Sequence, residues 1–113
     1  MVKKYIPKQG DVIFLNSDPT KGHEQAGKRP AIVISNNVFN ENTKMVIVLP
    51  ITSNDKAFPT HYILKNTKKI HGAVLCEHIR SIDYEVRNIK FVEKLNDEDL
   101  LSIIMLMNAC IEE

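Results

Sequence analysis

Apolar and polar positions change period several times along this chain. In DVIFLN (residues 11–16) Val12 and Phe14 alternate with Ile13 and Leu15, so both faces are apolar, as in a strand buried on both sides. PAIVIS (30–35) repeats that signature and opens with proline, which is tolerated at the first residue of a strand. Arg29, just before it, is biased towards extended backbone. NNVFNENTK breaks the pattern with a polar excursion that has room for one helical turn, and MVIVLPITS (45–53) resumes it. THYILK (60–65) predicts a fourth strand. HGAVLCEHIRSID (71–83) predicts a fifth, long enough to bend and cross to a second sheet, and IKFVEKL (89–95) a sixth.

The last segment has a helical period. Asn96 is a good N-cap, and Asp97, Glu98 and Asp99 follow in the first turn, where carboxylates complement the helix dipole. The predicted helix covers 97–111, with Leu100, Ile103, Ile104, Met107 and Ile111 on one face. Leu101, Met105 and Leu106 add apolar surface outside that stripe, which predicts burial on a second side, against another subunit. Short strands separated by turns and closed by one helix predict a small barrel or sandwich in one domain, residues 1–113.

Composition narrows the class. With 43% hydrophobic and 26% charged residues in 113, a folded soluble chain is expected. The N-terminus has no apolar stretch of signal-peptide type and no run approaches a membrane span of about 18 residues, so a cytoplasmic location without membrane contact is expected. Cys76 and Cys110 are far apart, lack CxxC spacing and read as small buried hydrophobes. His71, Cys76 and His78 match no familiar zinc spacing. The net charge of +1 hides an asymmetry: residues 1–94 hold 15 Lys and Arg against 9 Asp and Glu, whereas residues 95–113 hold five acids and no base. A basic body of this kind offers positive potential to a polyanion, although mixing at the surface would give the same count.

The densest chemistry lies in DPTKGHEQAGKRPAIVIS, where Gly22 and Gly27 flank His23 and Glu24, and Lys28 and Arg29 lead into a strand. The bland reading is a solvated hairpin connection. Three other residues argue for a site: Thr52 and Ser53 end an apolar strand and would lie at its rim, and Glu77 interrupts AVLCEHI on the face of Leu75 and Ile79. A carboxylate there needs a partner, because an unpaired buried charge costs several kcal/mol, and Arg29 is a candidate for a purely structural bridge. Together these groups suit phosphoryl chemistry on RNA. A carboxylate or imidazole takes the 2′-hydroxyl proton, a guanidinium steadies charge on phosphorus and an acid protonates the leaving oxygen. His23 has the right chemistry for base or acid, and Arg29 a fork suited to phosphate.

Three segments, GDVIFLNSDPTKGHEQAGKRPAIVIS, VLPITS and GAVLCEHIRSID, resemble in order and spacing the MazF/PemK/Kid family of toxin endoribonucleases. The resemblance implies an SH3-like small β-barrel with a C-terminal helix, acting as a homodimer without metal or other cofactor. It implies sequence-specific cleavage of single-stranded RNA to 2′,3′-cyclic phosphate and 5′-hydroxyl ends, and a cognate antitoxin whose acidic segment covers the RNA groove. Carried over by motif, Arg29 and Thr52 would hold the scissile phosphate and Glu24 would accept the proton. The Kid-like branch adds His23 and Glu77, and Lys28, Ser53 and His78 lie beside these positions as further candidates.

Two departures stand out. His78 occupies a position where the family commonly has glutamine, so it either alters base recognition or packs as an ordinary strand residue. Leu75 replaces an arginine of the Kid-like branch, which leaves its base and acid assignments open. Two other readings remain on the same barrel: a CcdB-like gyrase poison, which would lack its tryptophan-bearing C-terminus here, and a non-catalytic RNA-binding module.

Overall fold

A computed structural model describes residues 5–16 and 28–112. Among these described residues, seven strands and two helices follow in the order β1 (Asp11–Asn16), β2 (Lys28–Val33), α1 (Asn37–Thr43), β3 (Met45–Thr52), β4 (His61–Ile63), β5 (Ala73–Leu75), β6 (Arg80–Asp83), β7 (Ile89–Lys94) and α2 (Asp97–Ala109). The sheet is antiparallel and runs β4-β5-β3-β2-β1-β7. β3 organises it. One of its edges carries β2, and the other carries β6 along Met45–Val48 and β5 along Ile51–Thr52. The stretch expected as one bending strand is therefore two strands. A turn closed by His78 N–H to the Leu75 carbonyl at 3.1 Å separates them.

The mainly β architecture with a C-terminal helix is as expected, with one difference in closure: β4 and β7 end the sheet without pairing to each other. α2 links these two ends. It follows β7 directly, and Tyr62 of β4 donates from its hydroxyl to Asp99 Oδ1 at 2.5 Å. Burial and that carboxylate push the Tyr62 phenol up to about 12, so it stays a donor.

The double-sided apolar pattern of β1 to β3 explains the core. Val12, Ile32 and Leu49 form one row across three strands and pack on one side with Val74, Cys76 and Ile103 of α2. Ile13, Ala31, Val33 and Val48 face the other way and meet Ile82 and Tyr84. Cys76 is buried as expected, and burial pushes its thiol up to about 12, whereas Cys110 is exposed. α2 begins where predicted, with Asn96 Oδ1 accepting from Asp99 N–H at 2.8 Å, but it ends at Ala109. Ile111 consequently lies beyond the helix and is exposed, together with Leu101 and Met105.

Two devices fix the loops around the end of β3. Gly72 has φ +136°, and a Cβ there would come within 2.0 Å of the Thr52 carbonyl oxygen, so only glycine lets β5 pass this close to β3. On β7, the Glu93 carboxylate accepts the backbone N–H groups of Lys68, Lys69 and Ile70 at 3.0, 2.9 and 2.9 Å. Burial alone would raise this carboxyl, but the three donors and the Lys69 charge outweigh it and hold it below its ordinary range.

Gly72→Ala should therefore destabilise the fold by at least about 2 kcal/mol, since backbone strain and a clash combine. Urea denaturation checks this, and a midpoint equal to wild type would contradict the close passage. For Glu93, a depressed folded pKa means its contribution is present above the unfolded value of about 4.3 and lost as pH falls through the folded one. The stability gap between wild type and Glu93→Gln should be flat from about pH 6 to 8 and shrink below about pH 4. A gap independent of pH in that acid range would show that the charge is not what holds the loop.

Candidate active site

The β2–β3 register pairs Ala31 with Pro50 and Val33 with Val48, and continuing it sets Arg29 level with Thr52. Thr52 in turn pairs with Ala73 of β5. One row across three strands thus carries the arginine, the threonine and the backbone that Gly72 delivers. Above it opens a groove of about 840 Å³ whose lining includes Arg29, Thr52, Ser53, Lys69, His78 and Arg80. Three permanent cations and the imidazoles of His71 and His78 line it, and no carboxylate among the described residues does. Thr52 is half-buried and Ser53 exposed, so both hydroxyls are at the rim. The Thr52 oxygen accepts the Asn54 N–H at 3.2 Å, which leaves its own proton to donate to a ligand.

Glu77 is placed differently from the sequence reading. It lies in the turn between β5 and β6, exposed, and not on a strand face beside Arg29. Its partners are Thr60, whose hydroxyl donates to Oε1 at 2.7 Å, His61 at 3.2 Å and His78 at 3.5 Å, both of the latter through Nε2 to Oε2. Desolvation raises this carboxyl, but the Thr60 hydroxyl, its own backbone N–H and His61 bring it below the usual range. The reason for the difference is the strand break after Leu75, which swings residue 77 to the β4 side. His78 is not a packed strand residue either: its side chain is 55% exposed and reaches both the groove and Glu77.

His23 and Glu24 lie outside the described residues, as does the side chain of Lys28, whose backbone opens β2. Sequence reasoning missed Lys69, Arg80 and His61. Lys69 was one of several scattered lysines, and only the Glu93 anchor brings its loop to the groove. His61 reaches Glu77 through the pairing of His61 with Leu75, a contact that local sequence does not signal.

A groove lined among the described residues by cations and no carboxylate, with an arginine and a threonine in its wall, is suited to a phosphodiester. Residues 8–108 match the family model described as PemK-like, MazF-like toxin of type II toxin-antitoxin system. The chain belongs to the PemK/MazF toxin family. The endoribonuclease toxin MazF of Escherichia coli K12 is 35% identical over 111 residues, covering 98% of this chain and 99% of that protein. Endoribonuclease EndoA of Bacillus subtilis is 37% identical over 98 residues, covering 82% and 84%. Among solved structures, MazF from Deinococcus radiodurans superposes with a TM-score of 0.81 at 30% identity over 96% of this chain and 98% of that one. The MazE-MazF structure from the same organism gives 0.84 at 28% over 95% and 97%. The PemK/MazF match spans all seven strands and nearly all of α2.

Proposed function

We propose that this PemK/MazF family member is an endoribonuclease toxin that cuts single-stranded RNA at the groove carrying Arg29 and Thr52. The observation that carries the reading is the row of Arg29 and Thr52 in a groove that Lys69 and Arg80 also line and that no carboxylate among the described residues lines. Phosphate contacts of this kind supply affinity for a nucleic acid backbone, and Arg29 has the charge and fork geometry for phosphate. The relatives named endoribonucleases in Escherichia coli and Bacillus subtilis support the same activity.

In the proposed reaction the 2′-oxygen attacks phosphorus and the bond to the 5′-oxygen breaks. The 2′-proton leaves to a base, and the departing oxygen gains a proton from an acid. The products are a 2′,3′-cyclic phosphate and a 5′-hydroxyl, with no water consumed. Arg29 and the Thr52 hydroxyl stabilise charge on the phosphoryl oxygens, and Glu24 serves as proton acceptor with His23 beside it. Lys28, Ser53 and His78 contact the strand. Side chains supply every proton transfer, so the reaction is proposed to need no metal. Glu77 is engaged by Thr60 and His61, which favours a supporting role for it over direct proton transfer.

The acidic segment of a cognate antitoxin would compete for the same cationic groove, a reading supported by the MazE-MazF structure from Deinococcus radiodurans. The exposed Leu101 and Met105 of α2, with Ile111 beyond it, support a second copy as the cover of that surface, giving a homodimer.

Arg29→Ala should lower the cleavage rate on single-stranded RNA on the order of 100-fold or more with the fold intact. Cleavage at the wild-type rate would remove Arg29 from the site. Sedimentation at micromolar concentration should give twice the 12.9 kDa chain mass, and Leu101→Lys with Met105→Lys should shift it towards the monomer. A wild type that sediments only as the 12.9 kDa species would leave α2 without its proposed cover.

A further inference from the structure

The connection between β4 and β5, residues 64–72, is fixed at several points along its length. Leu64 N–H donates to the Gly72 carbonyl at 2.9 Å and closes its base. The Asn66 amide donates to both carboxylate oxygens of Asp99 on α2, at 3.3 and 3.2 Å, and the Thr67 hydroxyl donates to the Ile70 carbonyl. Glu93 accepts the N–H groups of three successive residues, Lys68, Lys69 and Ile70, while the Ile70 side chain packs on the core. On this held backbone Lys69 is exposed and lines the cationic groove that Arg29 and Thr52 also line, whereas the neighbouring Lys68 is exposed without lining it. A lysine that served only to neutralise Glu93 would put its ammonium on that carboxylate. Among the described residues no ion pair joins Lys69 to an acid, and its charge reaches Glu93 through space. Backbone donors take the carboxylate and leave the ammonium open to a ligand.

We propose that Lys69 binds a phosphate flanking the scissile one, and that Glu93 is the positioning residue that holds Lys69 for this contact. The inference rests on the endoribonuclease reading and deepens it by giving the RNA backbone a second phosphate subsite, on the β4–β5 loop. Lys69, Ile70 and His71 all line the groove, so the loop forms a continuous part of its wall. A lysine serves phosphate as a point charge on a flexible stem, so the placement of its backbone decides where that charge can reach. Fixing the backbone before RNA arrives removes the ordering cost that a mobile loop would add on binding. Glu93 does this from β7 and is not among the residues lining the groove, so the anchor brings no carboxylate to the phosphate.

The test measures binding of the full-length protein to an RNA that carries one 2′-deoxynucleotide at the mapped cut, which blocks attack. One flanking linkage at a time is made a neutral methylphosphonate on a 2′-deoxy sugar and compared with an ordinary phosphate on the same sugar. For the wild type at low salt, a flanking position should show a penalty of about 5-fold. In Lys69→Ala the penalty at that position should fall to under about 2-fold, and the slope of log affinity against log salt should drop by about 0.7. Lys69 is exposed and meets Glu93 through its backbone, which alanine keeps, so the variant leaves the fold in place. Lys68→Ala should retain the penalty. Glu93→Gln should reduce it at the same position, because a loosened loop presents Lys69 less well, with KM raised and kcat within about 2-fold of wild type. Penalties in Lys69→Ala equal to wild type at every position would overturn the subsite while leaving cleavage at Arg29 intact. Loss of the penalty in Lys68→Ala as well would trace it to general charge on the loop and equally overturn the proposal. A full penalty in folded Glu93→Gln would overturn the positioning role. A wild type that cuts no RNA overturns the parent reading and the subsite with it.

Discussion

The close passage of Gly72 against the Thr52 carbonyl is the constraint on which the candidate site depends. A backbone at φ +136° with no Cβ lets β5 pair with the last two residues of β3. That pairing ends the apolar strand at a hydroxyl, and the β2 register sets Arg29 level with it. Downstream of Leu75 the chain turns and rejoins the same edge of β3 as β6, carrying Arg80 to the groove. Thus one strand with two partners in succession on a single edge gathers residues distant in sequence onto one surface.

The distribution of carboxylates explains why that surface is cationic although the chain as a whole is nearly neutral. Asp11 is taken by the Tyr5 hydroxyl and by Lys94 at 3.0 Å. Asp99 receives Tyr62 and Asn66. Glu93 holds the backbone of residues 68–70, and Glu77 holds Thr60 and His61. Each of these acids is bound to groups that shape the fold, and none lines the groove. Burying polar groups requires such partners, so the acids that secure the loops are also kept out of the place where a phosphate would bind.

Much of the fold was legible because β1, β2 and β3 are apolar on both faces and α2 has a side-chain cap followed by three acids. The error fell where sequence carries no punctuation. Residues 76–79, Cys-Glu-His-Ile, contain no glycine, proline or asparagine, so the turn between β5 and β6 was invisible and Glu77 was assigned to a strand beside Arg29. Its true partners, Thr60 and His61, come from the β4–β5 pairing, which depends on long-range register. Arg29 and Thr52 were legible through motif resemblance, and the register supplies the physical reason they belong together. Lys69 was not legible, because a hydrogen-bonded anchor on β7 decides where its loop goes.

The central question is whether this groove performs transesterification on RNA. The most direct measurement is to incubate the wild-type protein with a long single-stranded RNA in excess chelator and to determine the chemistry of the new ends. Discrete cuts at a recurring short sequence are expected, with 2′,3′-cyclic phosphate on one fragment and a 5′-hydroxyl on the other. Ends bearing a 5′-phosphate, or intact RNA in the presence of folded protein, would contradict that chemistry.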